Sequence, residues 1–135
     1  MTLVDSNVLL DVITEGQEWA DWSEQQLDRA ALRGPLIIND VIYAEVSARF
    51  SVFETLDALL DEYRIEVAPM PRASLFLAGK TFLRYRSAGG LRTGVLPDFF
   101  IGAHAAVLNL SILTRDTKRY RTYFPSVKLV APEPN

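Results

Sequence analysis

Cysteine is absent from the 135-residue sequence, and histidine occurs once, at His104. Without cysteine the chain has no disulfide framework and no thiolate metal site. A single imidazole excludes, for practical purposes, catalysis by a serine–histidine or cysteine–histidine pair. We therefore expect His104 to be a packed helix residue.

Long apolar runs are also missing. None approaches the ~20 residues that a membrane-spanning helix needs, and the N-terminal "MTLVDSNVLLDVITEG" lacks the basic start and the cleavage site of a signal peptide. We expect a cytoplasmic protein without a membrane segment. With 49% hydrophobic residues, the chain suits one compact domain over residues 1–135 and is too short for two.

Charge is unevenly distributed along the chain. Residues 1–67 contain fourteen acids and four arginines, a net −10, whereas residues 68–135 contain ten bases and three acids, a net +7. The two values sum to the overall −3. The acids of the basic half are Asp98, Asp116 and Glu133. This half predicts either a surface for a polyanion or a solvated face with uneven charge.

Short apolar runs alternate with segments of helical spacing. Five runs predict strands without a polar face: "TLVD", "LIIN", "RIEV", "SILT" and "VKLV". Six segments between them predict helices: "SNVLLDVI", "QEWADWSEQQLDRAALRG", "NDVIYAEVSARF", "VFETLDALLDEY", "ASLFLAGKTFLRYR" and "LPDFFIGAHAAVLN". The glycine-rich "SAGGLRTG" predicts a loop. The alternation predicts a three-layer α/β/α sandwich with a central parallel sheet.

Several acids are predicted to lie at one edge of this sheet, the carboxyl edge at which open α/β sheets bind ligands. Asp5 follows the first strand, Asp40 the second and Asp116 the fourth. Asp98 opens a helix that can start at the same edge. Glu45 lies a turn into its helix, on a mostly apolar face where an unpaired carboxylate is costly.

Each acid also has an ordinary explanation. Asp5 and Asp98 suit helix caps. Glu45 suits a pair with Arg49 four residues on, and Asp116 suits a turn among cationic neighbours. Independent caps and pairs have no reason to converge on one edge, whereas a divalent cation needs several hard oxygen ligands held together. Mutually repelling carboxylates therefore favour a Mg²⁺ or Mn²⁺ site.

Four segments together resemble the PIN-domain ribonucleases, specifically the VapC toxins of bacterial toxin–antitoxin pairs. They are "LVDSNVLLD", the helix of Glu45, "LPDFFIGAHA" and "ILTRDTKRYRTYFP". The resemblance implies the strand order 3-2-1-4-5 and a Mg²⁺- or Mn²⁺-dependent endoribonuclease. It also implies a homodimer and an antitoxin whose C-terminal segment wraps the toxin.

The resemblance assigns a role to individual residues. The acidic quartet of the family corresponds to Asp5, Glu45, Asp98 and Asp116, with Asn7 and Thr114 as supporting polar residues. The choice of Glu45 over Asp40 rests on the resemblance alone. We hypothesise that the three aspartates of the quartet ligate the metal and that Glu45 orients or deprotonates a water held by it.

Basic residues near the quartet are expected to hold RNA phosphates. They are Arg84, Arg86, Arg92, Arg115, Lys118, Arg119 and Arg121. Tyr123 is a candidate for stacking on a base, whereas Tyr120, Phe100 and Phe124 are expected in the core. The alternative function is a non-catalytic RNA- or protein-binding module with the same fold.

Overall fold

Five parallel strands form one sheet at the centre of the protein. The computed structural model describes residues 1–92 and 94–133, so the predicted loop over 87–94 contains one residue, Thr93, that lies outside the described part. The strands are β1 (Thr2–Val4), β2 (Leu36–Ile38), β3 (Ile65–Val67), β4 (Ser111–Leu113) and β5 (Leu129–Val130). Their order is β3-β2-β1-β4-β5, with Leu3 opposite both Ile37 and Ile112. The predicted parallel sheet and its order are confirmed.

Helices connect the strands and flank the sheet. They are α1 (Ser6–Ile13), α2 (Ala20–Arg33), α3 (Asp40–Ser47), α4 (Phe53–Glu62), α5 (Arg72–Ser87), α6 (Leu96–Leu108) and α7 (Lys118–Tyr123). The first six agree with the predicted helices to within a few residues, whereas α7 was not predicted. Within the described residues, no helix is both long enough and apolar enough to cross a bilayer.

Burial of the strands differs between the centre and the edge of the sheet. Leu3, Val4, Ile38 and Ile112 are fully buried, as expected for strands covered on both faces. In β3, however, Glu66 and Val67 are exposed. The prediction that every strand lacks a polar face is therefore wrong at this edge, where helices cover the sheet incompletely.

Close packing fixes the position of α7. Gly102 is a buried glycine of α6, and a Cβ atom at this position would overlap the ring of Phe124, which directly follows α7. Only glycine permits this approach. The contact holds α7 against α6 and so brings the side chains of these two helices together at the carboxyl edge of the sheet.

Candidate acidic site at the sheet edge

The site is built where the adjacent strands β1 and β4 end. The backbone N–H of Asp5 donates to the carbonyl of Leu113 at 2.9 Å, which extends the pairing of the two strands by one residue. Asp5 and the loop from Thr114 to Asp116 therefore emerge side by side. This is the edge at which parallel α/β sheets bind ligands.

Asp5 is buried and accepts hydrogen bonds on both carboxylate oxygens. Oδ1 accepts from the backbone N–H of Ser6 at 2.8 Å, which makes Asp5 the N-cap of α1. Oδ2 accepts from the hydroxyls of Thr114 and Tyr120, each at 2.8 Å. Burial raises the pKa of Asp5, the two hydroxyls lower it and the charge of Asp98 raises it, so that the pKa is raised overall. Asp5 thus caps a helix and also belongs to a group of interacting charges.

The two predicted supporting residues hold the loop after β4. Asn7 accepts from the backbone N–H of Arg115 at 3.0 Å and donates to the Thr114 hydroxyl at 3.2 Å. The same hydroxyl accepts from the backbone N–H of Asp116 at 3.0 Å. Because the Thr114 hydroxyl also donates to Asp5, one oxygen ties the loop to the first strand.

Asp98 lies in the first turn of α6 and contacts a residue of α7. Its Oδ2 accepts from Nη1 of Arg119 at 2.7 Å, and both side chains are partly buried. Burial raises the pKa of Asp98, Arg119 opposes this effect and Asp116 adds to it, which leaves the pKa raised. Asp98 therefore forms an ion pair in place of the predicted helix cap.

Glu45 approaches the site from α3. Its Oε1 accepts from the hydroxyl of Ser6 at 3.1 Å. Loss of water raises its pKa, Ser6 lowers it, and the charges of Asp5 and Asp98 raise it further. Glu45 itself is exposed, next to the half-buried Val41 and the buried Ile42 of the predicted apolar face. Within the described residues it forms no ion pair with Arg49.

Neighbouring carboxylates contribute to the raised pKa values of three of the four predicted acids. The charge of Asp98 raises the pKa of Asp5, the charges of Asp5 and Asp98 raise the pKa of Glu45, and the charge of Asp116 raises the pKa of Asp98. Asp40, by contrast, is exposed in the first turn of α3. Charge interactions therefore link Asp5, Glu45 and Asp98 to one another, and Asp116 to Asp98, while the assignment of these four residues to one site stays a prediction.

The donor set fits a divalent cation in chemistry, although its side chains are not arranged around one. Carboxylate oxygens are the ligands that Mg²⁺ and Mn²⁺ prefer. Over residues 1–92 and 94–133, however, no three Asp, Glu or His side chains lie close enough together to hold a metal ion. In this structure Asp98 binds Arg119 and Asp5 binds two hydroxyls.

Arg115, one of the predicted phosphate-binding residues, is paired within the protein. Its guanidinium binds Asp11 through two hydrogen bonds of 2.6 and 2.9 Å and lies 5.5 Å from the ring centre of Trp19. Asp11 is only 2% exposed and also accepts from the Ser23 hydroxyl at 2.7 Å. The Arg115 side chain is thus bound within the protein and connects the loop after β4 with α1 and α2.

The other basic residues are exposed, apart from Arg119, which pairs with Asp98. The exposed ones are Arg84, Arg86, Arg92, Lys118 and Arg121. As predicted, Tyr120 and Phe124 are buried, and Phe100 packs against the core. His104 is also buried in its helix, with Nδ1 3.1 Å from the side-chain nitrogen of Asn39.

Sequence reasoning missed three contributors to the site. Ser6 binds both Asp5 and Glu45, Asp11 pairs with Arg115, and the hydroxyl of Tyr120 reaches Asp5. One signal was available for Tyr120, since a buried tyrosine hydroxyl needs a partner. Burial of Tyr120 and the charges around it, Asp5 first among them, raise the pKa of its hydroxyl well above 10, so it remains a donor.

Metal-free protein is expected to become more stable on mild acidification. The folded-state pKa values of Asp5, Glu45 and Asp98 are raised above the ordinary values near 4. Between those values the folded protein binds more protons than the unfolded chain, so the free energy of unfolding falls as pH rises through the folded pKa values. Thermal unfolding in EDTA from pH 7 down to pH ~4.5 measures this. The variant Asp40→Asn should retain the trend, and a midpoint that falls steadily on acidification would contradict it.

The sequence profile of the PIN domain matches residues 2–125. Among solved structures, VapBC2 from Rickettsia felis bound to a promoter DNA fragment is similar, with 18% identity, a TM-score of 0.74 and 98% coverage of both chains. VapBC-1 from nontypeable Haemophilus influenzae gives 15% identity, a TM-score of 0.72 and 96% coverage of both chains.

A toxin–antitoxin complex from Klebsiella pneumoniae has 20% identity to the chain, a TM-score of 0.69 and 100% coverage of both chains. At such identities these structures establish the fold. Among curated proteins the comparison finds no match. The family profile covers nearly the whole chain, and the protein therefore belongs to the PIN domain family.

Proposed function

We propose that the protein is a Mg²⁺- or Mn²⁺-dependent endoribonuclease and acts in the cytoplasm as the toxin of a toxin–antitoxin pair. The observation that carries this proposal is the group of mutually interacting carboxylates at the carboxyl edge of a PIN-domain sheet. PIN domains are generally nucleases. The exposed basic residues of the C-terminal half supply positive charge for an RNA backbone.

The chain's own residues divide the work of hydrolysis. Asp5, Asp98 and Asp116 would hold the metal. A bound divalent ion lowers the pKa of a water molecule and offsets negative charge on the phosphoryl oxygens. Glu45 accepts the proton of the attacking water, a role that its raised pKa favours, and the Ser6 hydroxyl orients its carboxylate.

Arg119 can have two roles in this scheme. In the structure its guanidinium neutralises Asp98. If Asp98 served as a metal ligand, Arg119 would be free to contact the substrate, where a guanidinium suits a phosphate. Arg119 is therefore a candidate both for stabilising the metal-free site and for binding RNA.

One observation favours the alternative, a non-catalytic RNA- or protein-binding module. No group of three carboxylates preformed for a metal is found in the part of the chain that the structure describes. A module that never binds a metal would retain Arg119 on Asp98 permanently.

Titration with Mn²⁺ separates the two functions. For the nuclease, the thermal midpoint rises with Mn²⁺ concentration, by an amount equivalent to about 2.7 kcal/mol at 100 times the dissociation constant. Structured RNAs are cut in Mg²⁺ or Mn²⁺ and spared in EDTA. A binding module shows neither the thermal shift nor the cleavage. The control variant Asp40→Asn should match the wild type in both measurements.

The antitoxin partner is proposed on the structural neighbours, which were solved as VapBC or toxin–antitoxin complexes. Apolar side chains of the acidic half offer a surface for a wrapping segment. Phe53 is 64% exposed, and Trp19, Trp22 and Phe50 are half-buried. A homodimer is likewise proposed.

A further inference from the structure

A pocket of about 320 Å³ lies between the C-terminal part of α5 and α7. Its lining consists of Tyr85, Arg92, Lys118, Arg119, Thr122 and Tyr123. Four of these residues form one face of α7, whereas Tyr120 on the opposite face is buried. Helix α7 is therefore amphipathic, with one face packed against the core and the other lining the pocket.

The pocket adjoins the acidic site through a single side chain. Arg119 lines the pocket, and its Nη1 lies 2.7 Å from Oδ2 of Asp98. A ligand in the pocket is consequently one side chain away from the carboxylates. In an RNA strand bound with one phosphate at the acidic site, an adjoining nucleotide would lie next to this pocket.

Two aromatic rings line the pocket in fixed orientations. The ring centres of Tyr85 and Tyr123 are 6.0 Å apart with an interplanar angle of 80°. The ring of Phe99 packs against both tyrosine rings, with its centre 5.4 Å from that of Tyr85 and 5.2 Å from that of Tyr123. Rings that are already ordered lose little entropy when a ligand stacks on them.

The polar part of the lining is cationic. Arg92 and Lys118 are exposed and line the pocket together with Arg119, and among the described residues no carboxylate lines it. Thr122 adds a hydroxyl oxygen. Aromatic walls with cations at the rim match a nucleotide, whose base stacks and whose phosphate is negatively charged.

We propose that this pocket binds one unpaired nucleobase of the RNA strand next to the cleaved phosphodiester, with the base against Tyr123 and Tyr85 and the adjoining phosphates near Arg92 and Lys118. The proposal deepens the proposed function and rests on RNA as its substrate. An acidic peptide is the competing occupant. It would use the cations but leave the aromatic walls without a partner, so the lining favours the base.

Binding in EDTA tests the pocket without cleavage. Fluorescence anisotropy is measured with labelled short single-stranded RNAs and with matched RNAs that lack one base at successive positions. For wild type, loss of one particular base is expected to weaken binding roughly ten-fold. Tyr123→Leu should weaken binding of the intact RNA by about the same factor and should be insensitive to that missing base, whereas Tyr123→Phe, which keeps the ring, should behave like wild type.

A second pair of variants avoids the aromatic cluster, in case Tyr123→Leu destabilises the fold. Thr122→Glu and Arg121→Gln each lower the charge of α7 by one, but only Thr122 lines the pocket. Thr122→Glu should weaken binding roughly ten-fold and erase the dependence on the missing base, whereas Arg121→Gln should weaken all RNAs slightly and equally.

Equal effects of Thr122→Glu and Arg121→Gln, or unchanged base dependence in Tyr123→Leu, would overturn the pocket proposal. Loss of binding to an antitoxin peptide with unchanged RNA binding in Thr122→Glu would assign the pocket to the peptide and overturn the proposal equally. Metal-dependent cleavage is measured separately. Metal-dependent cleavage by a protein whose RNA binding shows no base dependence would support the proposed function and overturn the pocket proposal. Base-dependent binding without cleavage would support the pocket proposal and overturn the proposed function.

Discussion

Asp98→Asn will reduce metal-dependent RNA cleavage by at least about 100-fold and will also abolish the Mn²⁺-dependent rise in thermal midpoint. The amide at position 98 retains an oxygen for Arg119 but loses the negative charge that a divalent ion requires. Asp5→Asn should give the same pair of results, because the buried carboxylate of Asp5 is the predicted second ligand. Initial rates of RNA cleavage and thermal unfolding with and without Mn²⁺ measure both effects.

Glu45→Gln distinguishes the proton acceptor from the ligands. This variant should lose cleavage to a similar extent while retaining the Mn²⁺-dependent thermal shift, since Glu45 is assigned to the attacking water. Asp40→Asn is the matched control, as Asp40 is an exposed carboxylate in the same helix as Glu45. Wild-type cleavage by Asp98→Asn would remove the proposed site altogether.

Arg115→Met will lower the free energy of unfolding by about 3 kcal/mol, because it leaves the buried carboxylate of Asp11 without its cation. Asp11 would keep the Ser23 hydroxyl as its remaining side-chain partner in the described structure. Denaturant unfolding monitored by circular dichroism measures the loss. The control Arg121→Met removes an exposed arginine and should change stability by less than about 0.5 kcal/mol.

A double variant separates the unpaired charge from lost packing against Trp19. In Asp11→Asn with Arg115→Met, the neutral amide can still bind Ser23 and needs no cation. This protein should therefore be more stable than Arg115→Met alone. If the single variant were as stable as the wild type, the pair would contribute nothing and Arg115 would again be available as a phosphate ligand.

The fold was predictable because its signals are local and repeated. Buried strands such as "TLV" and "LII" stand out as short apolar runs, and the helices between them have caps and apolar spacing. Parallel strands then place Asp5 and Asp116 at one edge by topology alone. The strand order itself came from the family resemblance, since no pattern in the residues specifies which strands are neighbours.

Side-chain partners were harder to predict because they depend on contacts between distant segments. Arg115 binds Asp11 across 104 positions of the chain and Arg119 binds Asp98 across 21. In the sequence both arginines look like free phosphate ligands. The short helix α7 was missed for a related reason, since six residues hold too little apolar periodicity to be distinguished from a turn.

The strand order separates the acidic half of the sequence from the basic half within the sheet. Strands β1 to β3 come from the acidic half of the chain and β4 and β5 from the basic half, with β1 and β4 side by side. Within the sheet, the strands of the acidic half and those of the basic half therefore meet between β1 and β4, where Asp5 and Asp116 follow the two strands. For the proposed RNA substrate, we expect this charge asymmetry to steer the approach toward the basic side before contact. At ionic strengths near 0.1 M this field is screened over about 10 Å, so added salt should slow association more than it speeds dissociation.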